Sequence, residues 1–447
     1  MTGVDVGQVG AASPTPCSVA GDVTPTADLQ AAIDAAGSGA VLTVAGTCTG
    51  DFVIGKSLTL QRHTGAASAV IEGAGGRPLT ITDGTVRIAG LRITGGFAPD
   101  CPPWPKHRCG GGVYAAETVR LTLERVTVNG NLAGLADSPT EHSYGGGIYS
   151  AGTLTLIDSV VSGNKAVAAG GDSQAGGVAS DGALTVRRSR IAGNSATATD
   201  GGAQGGGLYQ YHAGPVVIEE TTVSGNVVRG GALVGGGGMF ADGPFRMVIR
   251  RSTFSGNAVS ITGGSSGSGG ALTNNAATTI VDSTFTGNKA RFGGAISTDG
   301  TLKVRASTIA RNRATVRGGG LHAPGGTVAI STTILAADTA ISAGQDCWVG
   351  DAATVQDKGR NLVGSGDGCT GLLGNANGNK VGTDASRIDP RLGKLLANGG
   401  RTRTLALLDR SPAIGAAGTG PCTTATDQRG VRRPQGARCD IGAFERR

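Results

Sequence analysis

Seven segments of the chain align without a gap on a closing Asn: LTLERVTVNGN ending at Asn131, LTLIDSVVSGN at Asn164, LTVRRSRIAGN at Asn194, VVIEETTVSGN at Asn226, MVIRRSTFSGN at Asn257, TTIVDSTFTGN at Asn288 and LKVRASTIARN at Asn312. An eighth, VRIAGLRITGG, ends on Gly96 without the Asn. Eight residues before each Asn stand Leu123, Leu156, Val186, Ile218, Ile249, Ile280 and Val304; three before it stand Val128, Val161, Ile191, Val223, Phe254, Phe285 and Ile309. Both columns are apolar throughout, as the inward positions of stacked strands must be. A second strand follows each Asn after a loop: GGGVY to Tyr114, GGGIY to Tyr149, AGGVA, GGGLY to Tyr209, GGGMF to Phe240, then GGAL, GGAI and GGGL. Coils of roughly 24 to 35 residues with several short strands each cannot bury a face alone, and stacking makes their core continuous. The pattern predicts an all-β chain: a single right-handed parallel β-helix solenoid.

Two further columns fit that stack. Asn at one turn position in successive coils suits an internal ladder of side-chain amides. Six residues before the Asn come Arg125, Asp158, Arg188, Glu220, Arg251 and Asp282, alternating in sign. Strands about 4.8 Å apart would set each charge between two of opposite sign, so these carboxylates read as structural rather than catalytic.

Composition removes the competing classes. Gly supplies 81 of 447 residues, but not at every third position as collagen needs, and regular apolar spacing argues against disorder. The glycines therefore serve folded turns. A net charge of +7 spread over scattered Arg lacks the clustered footprint of a nucleic-acid binder. No apolar stretch approaches the ~20 residues that span a bilayer. The opening MTGVDVGQVGAASPTP has neither a basic start nor a long apolar core, which reads as an exported chain seen without its leader.

The eight cysteines are ordered as four local pairs, Cys17 with Cys48, Cys101 with Cys109, Cys347 with Cys369 and Cys422 with Cys439, although eight cysteines allow 105 connectivities. None lies in a CxxC or beside His at zinc spacing, so no metal is expected. An even count in Gly- and Pro-rich loops points to disulfides, an oxidising compartment and an extracellular or cell-surface location. No cofactor is expected; loop aspartates could ligate calcium, but the regular Gly-Gly-x-Gly-x-Asp nonapeptide is absent.

The ends read as caps: 1–50 as an N-terminal segment whose Asp28–Val44 stretch predicts a short amphipathic helix and then a strand, 51–343 as the coils, and 344–447 as a loop-rich C-terminal cap. Capping keeps a solenoid soluble by covering its open edge.

The STFSGN and GGGI-type repeats resemble those of secreted bacterial pectin-lyase-like β-helix proteins. The stretch from Leu395 to Gly418, then Thr426 to Glu445 with Ser411, Pro412, Asp427, Arg429, Gly430, Arg433, Pro434, Asp440, Gly442 and Glu445, resembles their C-terminal choice-of-anchor Q module. The resemblance implies an exported or cell-surface bacterial β-helix and little about chemistry, because this fold serves lyases, hydrolases and adhesins alike. The chain departs from anchored members in ending at Arg447 without an apolar tail or sorting motif, which leaves its anchoring open.

Rare side chains gather in one stretch. All five Tyr (Tyr114, Tyr144, Tyr149, Tyr209, Tyr211) lie between residues 114 and 211, with His107, His142 and His212 inside or beside it and Trp104, Lys106 and Arg108 just upstream. The loops between Asn and GGG are also longest here, and loops on a rigid scaffold are where binding residues concentrate. In the binding reading, Tyr149 and Tyr209 stack sugar rings while Trp104, Lys106, His107, Arg108, Glu141, His142, Tyr211 and His212 complete the face. A polysaccharide lyase would need a cation, a base and an acid, for which Arg108 or Lys106, His142 and Tyr144 are the candidates. A hydrolase would want two carboxylates, offered by Asp137, Glu141 and Asp172. The tyrosines could equally be a structural stack along one face.

The function expected is a monomeric β-helix presenting a binding face to a polysaccharide or cell-surface glycan. The alternative is a polysaccharide lyase or glycoside hydrolase, and the second a structural adhesin or ice-binding-type surface protein, suggested by Thr222 with Ser224, Thr253 with Ser255 and Thr284 with Thr286.

Overall fold

A computed structural model describes residues 15–102, 104, 106–135, 141–212, 214–262, 266–372, 374–418 and 420–447. The chain winds as a right-handed parallel β-helix. One coil shows the plan: Ile148–Ser150, Thr153–Ile157, Val160–Ser162, Lys165–Ala168 and Ser173–Gln174 each pair in parallel with the equivalent strands of the neighbouring coils. The strands equivalent to Ile148–Ser150 form an 11-stranded sheet that begins at Phe52–Ile54 and ends at Cys347–Val349.

The corners follow from the repeat. The charged column takes the left-handed conformation in every coil, from Arg125 (φ 52°) and Asp158 (φ 49°) to Asp282 (φ 45°). That conformation costs an L-residue roughly 1–2 kcal/mol. The next residue helps to hold it: Ser159, Ser189, Thr221, Ser252 and Ser283 are buried, and each hydroxyl accepts the backbone N–H of its counterpart one coil earlier at 3.0–3.3 Å. Sequence reading missed this hydroxyl ladder. At the following corner Gly163 (φ 65°) and its equivalents precede the Asn, where a side chain would be strained. Among the GGG glycines, a Cβ on Gly146 would stand 2.1 Å from the Lys165 carbonyl oxygen.

The Asn column is the internal ladder that the spacing predicts. Asn131, Asn164, Asn194, Asn226, Asn257, Asn288 and Asn312 are buried. Each Nδ2 from Asn131 to Asn288 donates to the Oδ1 of the next Asn at 2.9–3.0 Å, over intervals of 33, 30, 32, 31, 31 and 24 residues. Asp338 closes it, its Oδ1 accepting from the Asn312 N–H (2.6 Å) and Nδ2 (2.9 Å). Its Oδ2 is buried without a hydrogen-bond partner. Burial, then the neighbouring Asp346, holds the Asp338 carboxyl well above the usual range, because both disfavour its charged form.

The apolar column three residues before the Asn is buried from Val128 to Ile309, and Phe254 stacks on Phe285 with centroids 4.8 Å apart. Of the alternating charges, Arg188 pairs with Asp158 (2.9 Å) and Arg251 with Glu220 (3.1 Å); Arg125 turns instead to Glu124 of its own coil.

At the N-terminal end helix α1 (Leu29–Ala35) buries Leu29, Ala32 and Ile33, and Asp28 caps it by accepting from the Ala31 N–H at 3.0 Å. The disulfides are Cys17–Cys48, Cys101–Cys109, Cys347–Cys369 and Cys422–Cys439. No helix among the described residues is long and apolar enough to cross a membrane.

Parallel stacking continues to Lys380–Val381. Beyond it the chain forms an antiparallel hairpin, Leu392–Leu396 with Thr404–Leu407, and folds back along the flank. Thr253 Oγ1 donates to the Arg403 carbonyl (2.6 Å), Thr284 Oγ1 to Gln428 Oε1 (2.6 Å), and the Ala443 N–H to Thr308 Oγ1 (3.0 Å). The C-terminal motif residues serve this packing. Asp427 accepts the N–H groups of Arg429, Val431 and Glu445, and Arg433 pairs with Glu445 at 3.0 Å with both side chains 1% exposed. This corrects the ice-binding alternative, which needs an open threonine face: Thr253 and Thr284 are buried beneath the segment.

Candidate functional site

The 11-stranded sheet carries an outward column that reads, in register, Thr80, Tyr114, Tyr149, Ala179, Tyr209, Phe240 and Thr273. Tyr114 stacks on Tyr149 and Tyr209 on Phe240, each with centroids 5.7 Å apart. This corrects the expectation that Tyr149 and Tyr209 form an exposed sugar platform: they are only 2% and 5% exposed. Tyr144 lies against Tyr149 and Tyr211 stacks on Tyr209, with centroids 6.3 Å apart in each pair, and burial raises both phenols. Tyr149 donates to Asp181 Oδ2 at 2.6 Å.

Among the described residues two large aromatic side chains are exposed rather than buried or half-buried. Trp104 and Tyr211 are each 42% exposed and line one cleft of about 370 Å³ with Tyr144, Tyr149, Gln174, Ala179, Asp181, Gln204, Tyr209, His212 and Asp242. Trp104 sits in the loop closed by Cys101–Cys109 and leans on Tyr144, with centroids 5.9 Å apart. That loop is held by Arg77, a residue sequence reading passed over. Its buried guanidinium donates to the carbonyls of Gly110, Asp100 and Cys109 at 3.0, 2.6 and 2.9 Å and lies 5.1 Å from the Tyr114 ring centre. Burial lowers its pKa, opposed chiefly by Asp100.

The remaining sequence candidates are placed as follows. Tyr211 packs edge-on to His212, centroids 4.3 Å apart. Arg108 and Glu141 make a two-bond pair at 3.0 Å each, so each neutralises the other. His107 Nδ1 accepts from the His142 N–H (3.3 Å), and His142 Nδ1 from the Asp172 N–H (2.9 Å); their rings meet at 4.8 Å. These residues join loops of successive coils and do not line the cleft. Burial and the His142 ring lower the His107 pKa. Lys106 is exposed, and Asp137 lies outside the described residues. Of the lyase set Arg108, His142 and Tyr144, only Tyr144 reaches the cleft. Burial, helped by Asp172 and Asp181, pushes its phenol up to about 12, which makes it a hydrogen-bond donor rather than a base.

Four polar residues of the cleft, Gln174, Asp181, Gln204 and Asp242, were not among the sequence candidates. Gln174 Nε2 donates to Gln204 Oε1 at 3.3 Å. Burial raises the Asp181 carboxyl, against the Tyr149 hydroxyl and His212. The available signal was the Ala of AGGVA, the one small residue between Tyr114 and Phe240 in an otherwise aromatic column. Among the described residues no group of three or more His, Cys, Asp or Glu could hold a metal ion.

No curated protein and no solved structure matches the chain. Residues 111–312 match the family model described as a right-handed beta helix region. That stretch holds the whole Asn ladder and every cleft residue except Trp104; in fold, the chain is a right-handed β-helix protein.

Proposed function

We propose that the protein is an exported or cell-surface β-helix that binds carbohydrate in the Trp104–Tyr211 cleft. The carrying observation is that two exposed aromatic side chains and several amide and carboxyl groups line one cavity of about 370 Å³. A sugar presents apolar ring faces and polar edges, and a cleft with aromatic walls and a few placed polar groups complements both. Four disulfides support an oxidising compartment, and the C-terminal resemblance supports a place at the bacterial surface. Cleavage is the second reading, favoured by one observation: Asp181 and Asp242 both line the cleft, and paired carboxylates hydrolyse glycosidic bonds. Lyase chemistry is less well supported, because among the described residues no Lys or Arg lines the cleft to neutralise a uronate.

The test is a polysaccharide panel read both by retention and by release of reducing or unsaturated ends. Retention of at least one polysaccharide is expected, weakened at least tenfold in Trp104→Ala and Tyr211→Ala proteins with unchanged melting. Retention of none, or retention indifferent to both substitutions, refutes the assignment.

A further inference from the structure

Stacked rings occupy the outward column on both sides of one coil and are missing within it. Tyr149 precedes Ala179 and Tyr209 follows it in strict register. Within the column each of those tyrosines stacks only on its far side, on Tyr114 and Phe240 respectively; outside it Tyr149 meets Tyr144 and Tyr209 stacks on Tyr211, with centroids 6.3 Å apart in each pair. The cleft lies over this coil: Gln174, Ala179 and Asp181 belong to it, Tyr144 and Tyr149 to the coil before, Gln204, Tyr209 and Tyr211 to the coil after. Ala179 thus forms part of the floor at the position where the two coils before it and the two after it put a ring.

The charge of the lining is one-sided. Asp181 and Asp242 are its carboxyl groups and His212 its imidazole, and among the described residues it contains neither Lys nor Arg. Arg108, the cation expected here from the sequence, is committed to Glu141. An anionic ligand would meet carboxylates with no fixed positive charge to offset them, which is unfavourable at short range in a partly desolvated site. Hydroxyl groups can instead accept from the glutamine amides and donate to the carboxylates.

We propose that the cleft takes an uncharged hexose unit, its ring faces against Trp104 and Tyr211 and its hydroxyls bonded by Gln174, Gln204 and Asp181, and that Ala179 opens the cleft by leaving the aromatic column one ring short. This rests on the carbohydrate reading and narrows it to glycans without carboxylate or sulfate groups, with Ala179 as the residue that sets the depth of the site.

The experiment is titration calorimetry with cellotetraose, mannotetraose, maltotetraose and tetragalacturonate on the wild-type chain and on Ala179→Phe and Ala179→Val. At least one neutral tetrasaccharide should bind the wild type, with tetragalacturonate at least tenfold weaker. Ala179→Phe should lose at least tenfold in affinity without a lower melting temperature, because the new ring joins an existing stack; Ala179→Val should fall between. Undiminished binding by a folded Ala179→Phe protein overturns the role of Ala179 while leaving the carbohydrate reading intact. Preference for tetragalacturonate overturns the uncharged class, and no binding of any tetrasaccharide overturns the carbohydrate reading itself. If Ala179→Phe does not fold, Ala179→Val decides the floor. Saturation-transfer NMR on the wild type decides the ring contact: transfer from aromatic to sugar protons supports it, and its absence refutes it.

Discussion

Replacing Asn257 by Ala removes a side chain that is bonded on both sides of the coil stack. Its Oδ1 accepts from the Asn226 N–H (3.1 Å) and Nδ2 (2.9 Å), and its Nδ2 donates to the Val223 carbonyl (3.0 Å) and Asn288 Oδ1 (2.9 Å). Two of these partners keep other bonds: Asn226 Nδ2 still reaches the Ile191 carbonyl, and Asn288 Oδ1 still accepts from the Asn257 N–H. The buried Asn226 N–H is left without its acceptor. One stranded donor costs about 1–3 kcal/mol and the other lost bonds add to it, so the expected loss is about 2–4 kcal/mol. Urea unfolding followed by circular dichroism should show it, with hydrogen exchange at Asn226 as a local readout, because solenoids can open coil by coil. Ser162→Ala, on the partly exposed rim, is the control and should stay within about 0.5 kcal/mol. Asn257→Asp adds a sign. Burial among these groups should raise the new carboxyl as it does at Asp338. A carboxyl raised in the folded state supports folding below its unfolded pKa and loses that support as pH rises through its folded value, so the loss of stability relative to the wild type should be larger at pH 8 than at pH 4. An Asn257→Ala loss no larger than that of Ser162→Ala would refute the ladder as a source of stability.

His322, stacked on Trp348 at 4.9 Å, is driven by burial and then Arg317 to a pKa of about 4. It is neutral when folded, so stability should fall by up to roughly 3 kcal/mol as pH drops from about 6.5 to 4; His322→Phe should flatten that part of the pH–stability curve. Arg433→Met strands the buried Glu445 and Asp282 carboxylates and should cost about 3–5 kcal/mol in thermal or denaturant unfolding. Peptide mapping without reduction should return four local links, and loss of Cys101–Cys109 by double Ser substitution should cost about 2–3 kcal/mol and weaken carbohydrate retention by freeing the Trp104 loop.

The coil stack was legible because it is periodic: an Asn with apolar residues three and eight positions earlier recurs seven times, and each repeat restates the same inward face. The hydroxyl ladder was equally periodic in Ser159, Ser189, Thr221 and Ser252, but Ser and Thr also suit exposed strand positions, so the pattern did not declare itself. The fold-back of the C-terminal segment had no local signature. Its contacts, such as Gln428 with Thr253 across 175 residues, join a non-repeating chain to a repeating one. At the site, clustering of rare side chains located the region, while their exposure depended on what packs over them. Tyr149 and Tyr209 share a motif with no mark of burial, and Arg108 and Glu141 cancel only when two loops meet.

The central claim is that the Trp104–Tyr211 cleft is where ligand binds, and Trp104 itself can report it. The chain has two tryptophans, and Trp348 belongs to the separate stack on His322, so a Trp348→Phe protein carries its fluorescence signal at the cleft alone. Titrating it with the neutral tetrasaccharide that binds in calorimetry should shift the Trp104 emission to shorter wavelength as the half-exposed indole is covered. The midpoint should coincide with the calorimetric one and disappear in Tyr211→Ala. A tetrasaccharide that binds by calorimetry yet leaves Trp104 emission unchanged would contradict the account and place the ligand on another face.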